Sequence, residues 1–197
     1  MLNIFCNCGS CGIELYDEKP KLSLFCGCED CRQATEWGAK NGAKPSSPFA
    51  EAIYMRSDIA FVKGRENMKA VQLRKNAKST RVYCKDCHSI LGIDHPNYCN
   101  NVFMFFKNYC ETNFKLPDKV AAAIYLDDLP PSATHLIPND IPLLYSFPRD
   151  REKFRSIASV RNSFKKPDQP PKGITFLDLI KSMDKIEVLE LEKGRQL

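Results

Sequence analysis

At 197 residues the chain has the length of one ordinary domain, enough to bury a core without obligatory cross-links. Charged residues make up 27% and hydrophobic residues 43%, the balance of a soluble globular protein, and the net charge of +5 is too small and scattered for a polyanion-binding surface. No apolar run approaches the roughly 20 residues of a membrane span, and the first residues, MLNIFCNCGSCG, lack the charged-then-apolar plan of a secretory leader.

In chain order, short segments rich in Ile, Val, Phe and Tyr predict strands at 12–17, 21–25, 52–55, 59–64, 70–74, 80–84 and 89–93. They alternate partly with a two-residue period and are punctuated by Gly, Asp, Asn and Pro. The apolar run 101–110 predicts a buried strand, and 120–128 extends the series. Residues 150–161 predict a short helix with Asp150 as its N-cap. The stretch 173–194 begins with helical spacing and passes into the strand-like alternation KIEVLELEK. Thirteen prolines, many beyond Pro117, oppose a helix bundle. The expectation is a mainly β fold with peripheral short helices. The basic stretch 159–172 reads as a solvated loop; without interleaved aromatics it gives no reason to expect a nucleic-acid partner.

Ten cysteines fall in the first 110 residues. In the reducing, cytoplasmic setting that the opening residues suggest, they point to metal ligands or a reactive thiol rather than a disulfide framework. Cys6 and Cys8 form a C-x-C pair, and Cys84 and Cys87 form CKDC. Joined, they give four thiolates suited to tetrahedral zinc at about 2.3 Å, stapling the N-terminus to the middle of the chain. A redox dithiol is the competing reading of CKDC, but its flanks do not resemble a strand–helix redox unit. Cys26, Cys28 and Cys31 stand in a C-x-C-x-x-C arrangement. Two readings stay open for this triplet. Either three thiolates hold zinc with a free position for a substrate thiol, or Cys11, Cys99, Cys110, His88, His95 or His135 closes the site.

CNCGSCGIEL (6–15), CGCEDCRQATEWGA (26–39) and CKDCHSILG (84–92) resemble, in order and spacing, the motifs of glutathione-dependent formaldehyde-activating enzymes and the related centromere-protein-V domain. The segments 94–111 and 125–136 are similar to the stretches that follow, so the likeness spans about residues 3 to 140. It implies a β-tent zinc fold of small antiparallel sheets over 1–140, with 141–197 as an extension packed on the same domain. It also implies a structural zinc on Cys6, Cys8, Cys84 and Cys87, and a labile catalytic zinc on Cys26, Cys28 and Cys31, two zinc ions per chain. The implied activity is that of a carbon–sulfur lyase similar to S-(hydroxymethyl)glutathione synthase. Glutathione would be the co-substrate and a zinc-bound thiolate the nucleophile toward formaldehyde or another small aldehyde. The sequence departs from the family pattern at Trp37, where the following glycine stands one position late, and at His88, where a small residue is usual.

Among the remaining residues, His95 in DHPNY is a candidate catalytic donor, and Arg32 and Trp37 are candidate contacts for the thiol substrate. Lys40, Lys44 and Lys107 are available to meet an anionic ligand. Each also has a plain alternative: a turn histidine, a surface arginine, a core tryptophan, solvated lysines. The alternative to an enzyme is a non-catalytic, zinc-stapled binding or carrier module.

Overall fold

The structure is a computed structural model that describes residues 1–16, 19–166 and 168–194. Asp17 of the predicted strand 12–17 and Pro167 of the basic stretch lie outside the described residues. In chain order come β1 (Leu2–Phe5), β2 (Gly12–Leu15), β3 (Leu22–Cys26), α1 (Glu29–Lys40), β4 (Ala50–Arg56), β5 (Ile59–Lys63), β6 (Met68–Gln72), β7 (Thr80–Cys84), β8 (Ile90–Asp94), β9 (Val102–Phe106), β10 (Glu111–Thr112) and β11 (Ala123–Ile124). Then follow α2 (Phe147–Ser156), α3 (Ala158–Ser163), α4 (Phe176–Lys181) and β12 (Ile186–Val188). The chain is mainly sheet, and among the described residues no helix is long and apolar enough to cross a membrane.

Two sheets form. One has the strand order β10-β1-β2-β5; the other has eight strands, β11-β3-β4-β9-β8-β7-β6-β12. Pairing is antiparallel throughout except at the two edges of the larger sheet, where β11 lies parallel to β3 and β12 parallel to β6. Alternation along the strands of the large sheet sends side chains to opposite faces. Ile53, Met55, Phe103, Phe105, Val82 and Cys84 face one core, together with Ile4, Ile13 and Leu15 of the small sheet. Ala52, Tyr54, Met104, Phe106, Tyr83, Leu24 and Cys26 face the other, under α1 and the residues around α3. β9, with the sequence VFMFF, is apolar at every position because it is covered on both faces.

The twelve-residue α1 stands where the sequence predicts no element, and it starts inside the C-x-C-x-x-C triplet. Cys28 is its N-cap, Glu29 and Asp30 sit in its first turn and Lys40 in its last, the charge order a helix dipole favours. Gly38 interrupts its interior for a steric reason: a Cβ there would lie 3.2 Å from the His88 carbonyl oxygen. The predicted helix 150–161 is two helices, and its first starts after Ser146 rather than at Asp150. Asp150 still serves that start, since its carboxylate accepts the N–H groups of Tyr145 (2.6 Å) and Ser146 (3.2 Å). The predicted extension at 120–128 is only a two-residue strand followed by a 3-10 turn at Leu126–Asp128. β1 and β10 lie outside the strands predicted from the sequence.

α4 is fixed by a capping box at Thr175 and Asp178, and it buries Phe176, Leu179 and Ile180 in the core shared by the two sheets. The Phe176 ring stacks on Phe103 at 4.6 Å. Phe176→Ala is therefore expected to cost about 3–5 kcal/mol. A urea titration should show a single transition with a lowered midpoint and unchanged slope; a biphasic curve would show α4 to belong to a separate unit.

Candidate metal centres

The first sulfur cluster is built by two tight turns. Gly9, at φ +76°, closes the loop between β1 and β2 with its N–H on the Cys6 carbonyl, bringing Cys6 and Cys8 together. The turn after β7 presents Cys84 and Cys87, with His88 at φ +52° donating its N–H to the Cys84 carbonyl. All four Sγ atoms lie within 4.8 Å of one another. Cys6 and Cys8 are 3.5 Å apart, and Cys8 and Cys84 3.7 Å. Ligands at about 2.3 Å in a tetrahedron would stand about 3.8 Å apart, so this set fits zinc in both chemistry and spacing.

Ser10 and Ser89, which the sequence did not single out, and Cys11, which it offered to the other cluster, complete this one. Ser10 Oγ lies 3.2 Å from Cys8 Sγ and 3.3 Å from Cys84 Sγ. The Cys11 N–H donates to Cys6 Sγ at 3.3 Å. Ser89 Oγ lies 3.1 Å from Cys87 Sγ and accepts the Asn7 N–H at 3.0 Å, tying the two turns together. Burial pushes the Cys6 thiol up, but the Cys11 N–H and the Ser10 hydroxyl outweigh it and bring it down to about 6. Cys87 is likewise lowered, its burial offset by the Ser89 hydroxyl and N–H. Groups of this kind around ligand sulfurs stabilise their charged form.

The second cluster lies on the opposite face of the large sheet. Cys26 ends β3, Cys28 caps α1 and Cys31 occupies its first turn, with the Cys31 N–H donating to Cys28 Sγ at 3.3 Å. The three Sγ atoms again lie within 4.8 Å of one another. Cys26 and Cys31 are only 5% and 4% exposed. Hydrogen bonds from the Cys26 and Cys31 thiols hold the Cys28 thiol well below its usual range, whereas its two donors are raised. The sulfur so favoured as thiolate is the one at the positive end of the helix.

Among the described residues no fourth Cys, His, Asp or Glu joins this triplet. The sequence candidates for closing it lie elsewhere. Cys11 is buried beside Cys6, and Cys110 in the core between the sheets. Cys99 and His135 are exposed. The His88 ring packs on Trp37 at 5.3 Å. His95 Nδ1 accepts the Asn97 N–H at 3.0 Å as the cap of a 3-10 turn at Pro96–Tyr98.

That turn packs a different side chain against the core that contains the sulfurs. Tyr98 packs against the core that holds Cys26 and Cys31, its hydroxyl 3.5 Å from that of Tyr54 and 3.3 Å from Met104 Sδ. The sulfurs act electrostatically on Tyr54, Tyr98 and Tyr125, and burial raises all three phenols, Tyr125 to about 12. They therefore remain protonated donors. A tyrosine within a buried strand such as β4 reads as core in sequence, and no periodic signal separates the two roles.

The other expected contacts stand as follows. Arg32 is nearly buried and pairs with Glu36 at 3.3 Å. Trp37 lies toward the far end of α1, edge-on to Tyr83 at 5.0 Å and under Lys69 Nζ at 4.7 Å. It stands nine positions beyond Cys28, about 14 Å along the helix axis. Lys44 and Lys107 are paired to Glu111 and Glu51, and line a cleft of about 360 Å³ with Phe25 and Phe49. Lys40 lies in the last turn of α1.

A mainly β chain with one closed four-sulfur cluster and one unclosed three-sulfur cluster defines a protein with two thiolate centres suited to zinc. The chain belongs to the glutathione-dependent formaldehyde-activating enzyme family, whose model matches residues 1–106, through the end of β9 and across both clusters. No individual curated protein matches it.

Because Cys6 and Cys84 sit in the core between the sheets, Cys84→Ser is expected to release the N-terminal hairpin along with the metal. Hydrogen exchange should show lost protection at β1 and β2. Retained protection there with the metal gone would mean that the first cluster is no staple.

Proposed function

We propose that this chain is a zinc-dependent enzyme of the carbon–sulfur lyase type, acting on the adduct of glutathione or a similar thiol with formaldehyde or another small aldehyde. The observation that supports this most directly is the unclosed triplet: three sulfurs with no fourth protein ligand. Cys6, Cys8, Cys84 and Cys87 hold one zinc for structure, and Cys26, Cys28 and Cys31 hold a second, two per chain. A zinc ion on the triplet would supply the positive charge that keeps an incoming thiol deprotonated near neutral pH.

The step is an addition. The thiolate sulfur forms a bond to the carbonyl carbon, the π electrons move to oxygen, and the alkoxide takes a proton to give the S-hydroxymethyl thioether; the reverse releases aldehyde and thiol. The Tyr98 hydroxyl is the donor toward that oxygen, turning to it from its hydrogen bond to Met104 Sδ (3.3 Å) and its longer contact with the Tyr54 hydroxyl (3.5 Å). His95 acts at one remove: by capping the turn that carries Tyr98, it places the phenol. Residues 1–140 form the zinc-binding β unit, and 141–197 are an extension of it. Phe154, Ile157 and Phe164 pack against the triplet's core.

The burial of Cys26 and Cys31 favours the competing reading, a non-catalytic zinc-stapled module. Elemental analysis, calorimetry with glutathione and thiol-dependent turnover of the formaldehyde adduct separate the two. The enzyme reading expects two zinc in the native protein, and one zinc, a retained fold and no turnover in Cys28→Ser. Tyr98→Phe should keep both metals and slow turnover about 100-fold. Two zinc with neither glutathione binding nor turnover would establish the module instead.

A further inference from the structure

The matched family region ends at residue 106, yet the last described residues return to the helix that carries the triplet. β12 joins the large sheet beside β6, and the chain continues along it with the Leu189 N–H on the Gln72 carbonyl (3.0 Å) and the Leu191 N–H on the Leu73 carbonyl (2.8 Å). Leu189 and Leu191 pack against the core that contains Cys26 and Cys31. Between them Glu190 takes the left-handed conformation, φ +55°, one that non-glycine residues adopt only where surroundings enforce it. The tail then crosses the first turn of α1. Gln33 Nε2 donates to the Glu192 carbonyl at 2.8 Å, and the Gly194 N–H donates to the Glu29 carboxylate.

Arg74, just beyond β6, joins these parts. Its guanidinium donates to the Leu191 carbonyl at 2.9 Å, to Asp30 Oδ1 at 2.6 Å and to the Gln33 side-chain oxygen. A helix that begins Cys-Glu-Asp-Cys sets two carboxylates beside three sulfurs, and Asp30 and Cys28 repel each other. Arg74 offsets one carboxylate and the Gly194 N–H the other. Every residue of that turn between the two ligand cysteines is therefore engaged by Arg74 or by the tail.

We propose that residues 186–194 are a strap that, with Arg74, fixes the first turn of α1 and so governs metal retention at the triplet alone. This rests on the reading of the triplet as a zinc site. Arg74 and the tail are positioning elements; neither supplies a ligand. Groups that orient metal ligands change affinity about 10- to 100-fold when removed.

The test compares zinc release to a chromogenic chelator from three zinc-loaded forms of the full protein: native, Arg74→Met, and a chain ending at Lys185. The expected result is one zinc released slowly and at the same rate in all three. The other should leave about 10- to 100-fold faster from both variants, with unchanged far-UV circular dichroism. Should the shortened chain fail to fold, Arg74→Met, which keeps every residue of the tail, decides by itself. Unchanged release from Arg74→Met, or equal acceleration at both sites, would overturn the strap while leaving the two-zinc reading intact. A native protein that binds only one zinc would overturn that reading itself.

Discussion

The contact on which the second centre depends is the N–H of Cys31 pointing at Cys28 Sγ. It makes one sulfur both a helix cap and a candidate metal ligand. The helix can start only where the sulfur sits, and the sulfur gains the partial positive charge of the helix end. C-x-x-C therefore does more at this position than bring two ligands near each other: it sets the direction in which α1 leaves the site. From there α1 runs across the large sheet until Gly38 meets the His88 carbonyl and Trp37 meets the His88 ring, in the turn that carries the other cluster's ligands. One rigid element thus links two centres that the sheet holds on opposite faces.

The two centres differ in what surrounds them as well as in ligand number. The four-sulfur cluster has hydroxyls from Ser10 and Ser89 and an N–H from Cys11 around it, and its Cys6 and Cys84 lie in the core where the small sheet docks while Cys8 is exposed. Metal bound there adds its free energy to that docking. The triplet instead shares its core with Tyr54 and Tyr98, which feel the sulfurs electrostatically; the Tyr98 hydroxyl donates to Met104 Sδ at 3.3 Å. Those two tyrosines meet Phe164, whose ring lies 5.4 Å from Tyr54 and 5.9 Å from Tyr98.

Much of the sheet was legible in the sequence because its signals are local. The strand predicted at 80–84 is β7 to the residue, and 59–64 overlaps β5 to within one residue. Both sulfur clusters were also legible, since C-x-C and C-x-x-C are ligand spacings whatever fold carries them. α1 was not. Its buried face includes Arg32, Gln33 and Thr35, so the apolar stripe that marks a helix is missing, and its cap is a cysteine rather than a serine or aspartate. The parallel pairings of β11 and β12 escaped for another reason: their partners lie far away in sequence, and alternation says nothing about which edge a strand joins. At the candidate site, residue type drew attention to His95, whereas the backbone gives it to the cap and brings Tyr98 inward.

The central claim is that the triplet holds a metal ion with a position left for a substrate thiol. Cobalt(II) exchanged into both centres reports each through its sulfur-to-metal absorption bands, and titration with glutathione reads the open position directly. The bands of one cobalt per chain should change saturably, and Cys28→Ser should lack that response while keeping the spectrum of the four-sulfur centre. An unchanged spectrum at high glutathione, with both cobalt ions bound, would contradict the claim.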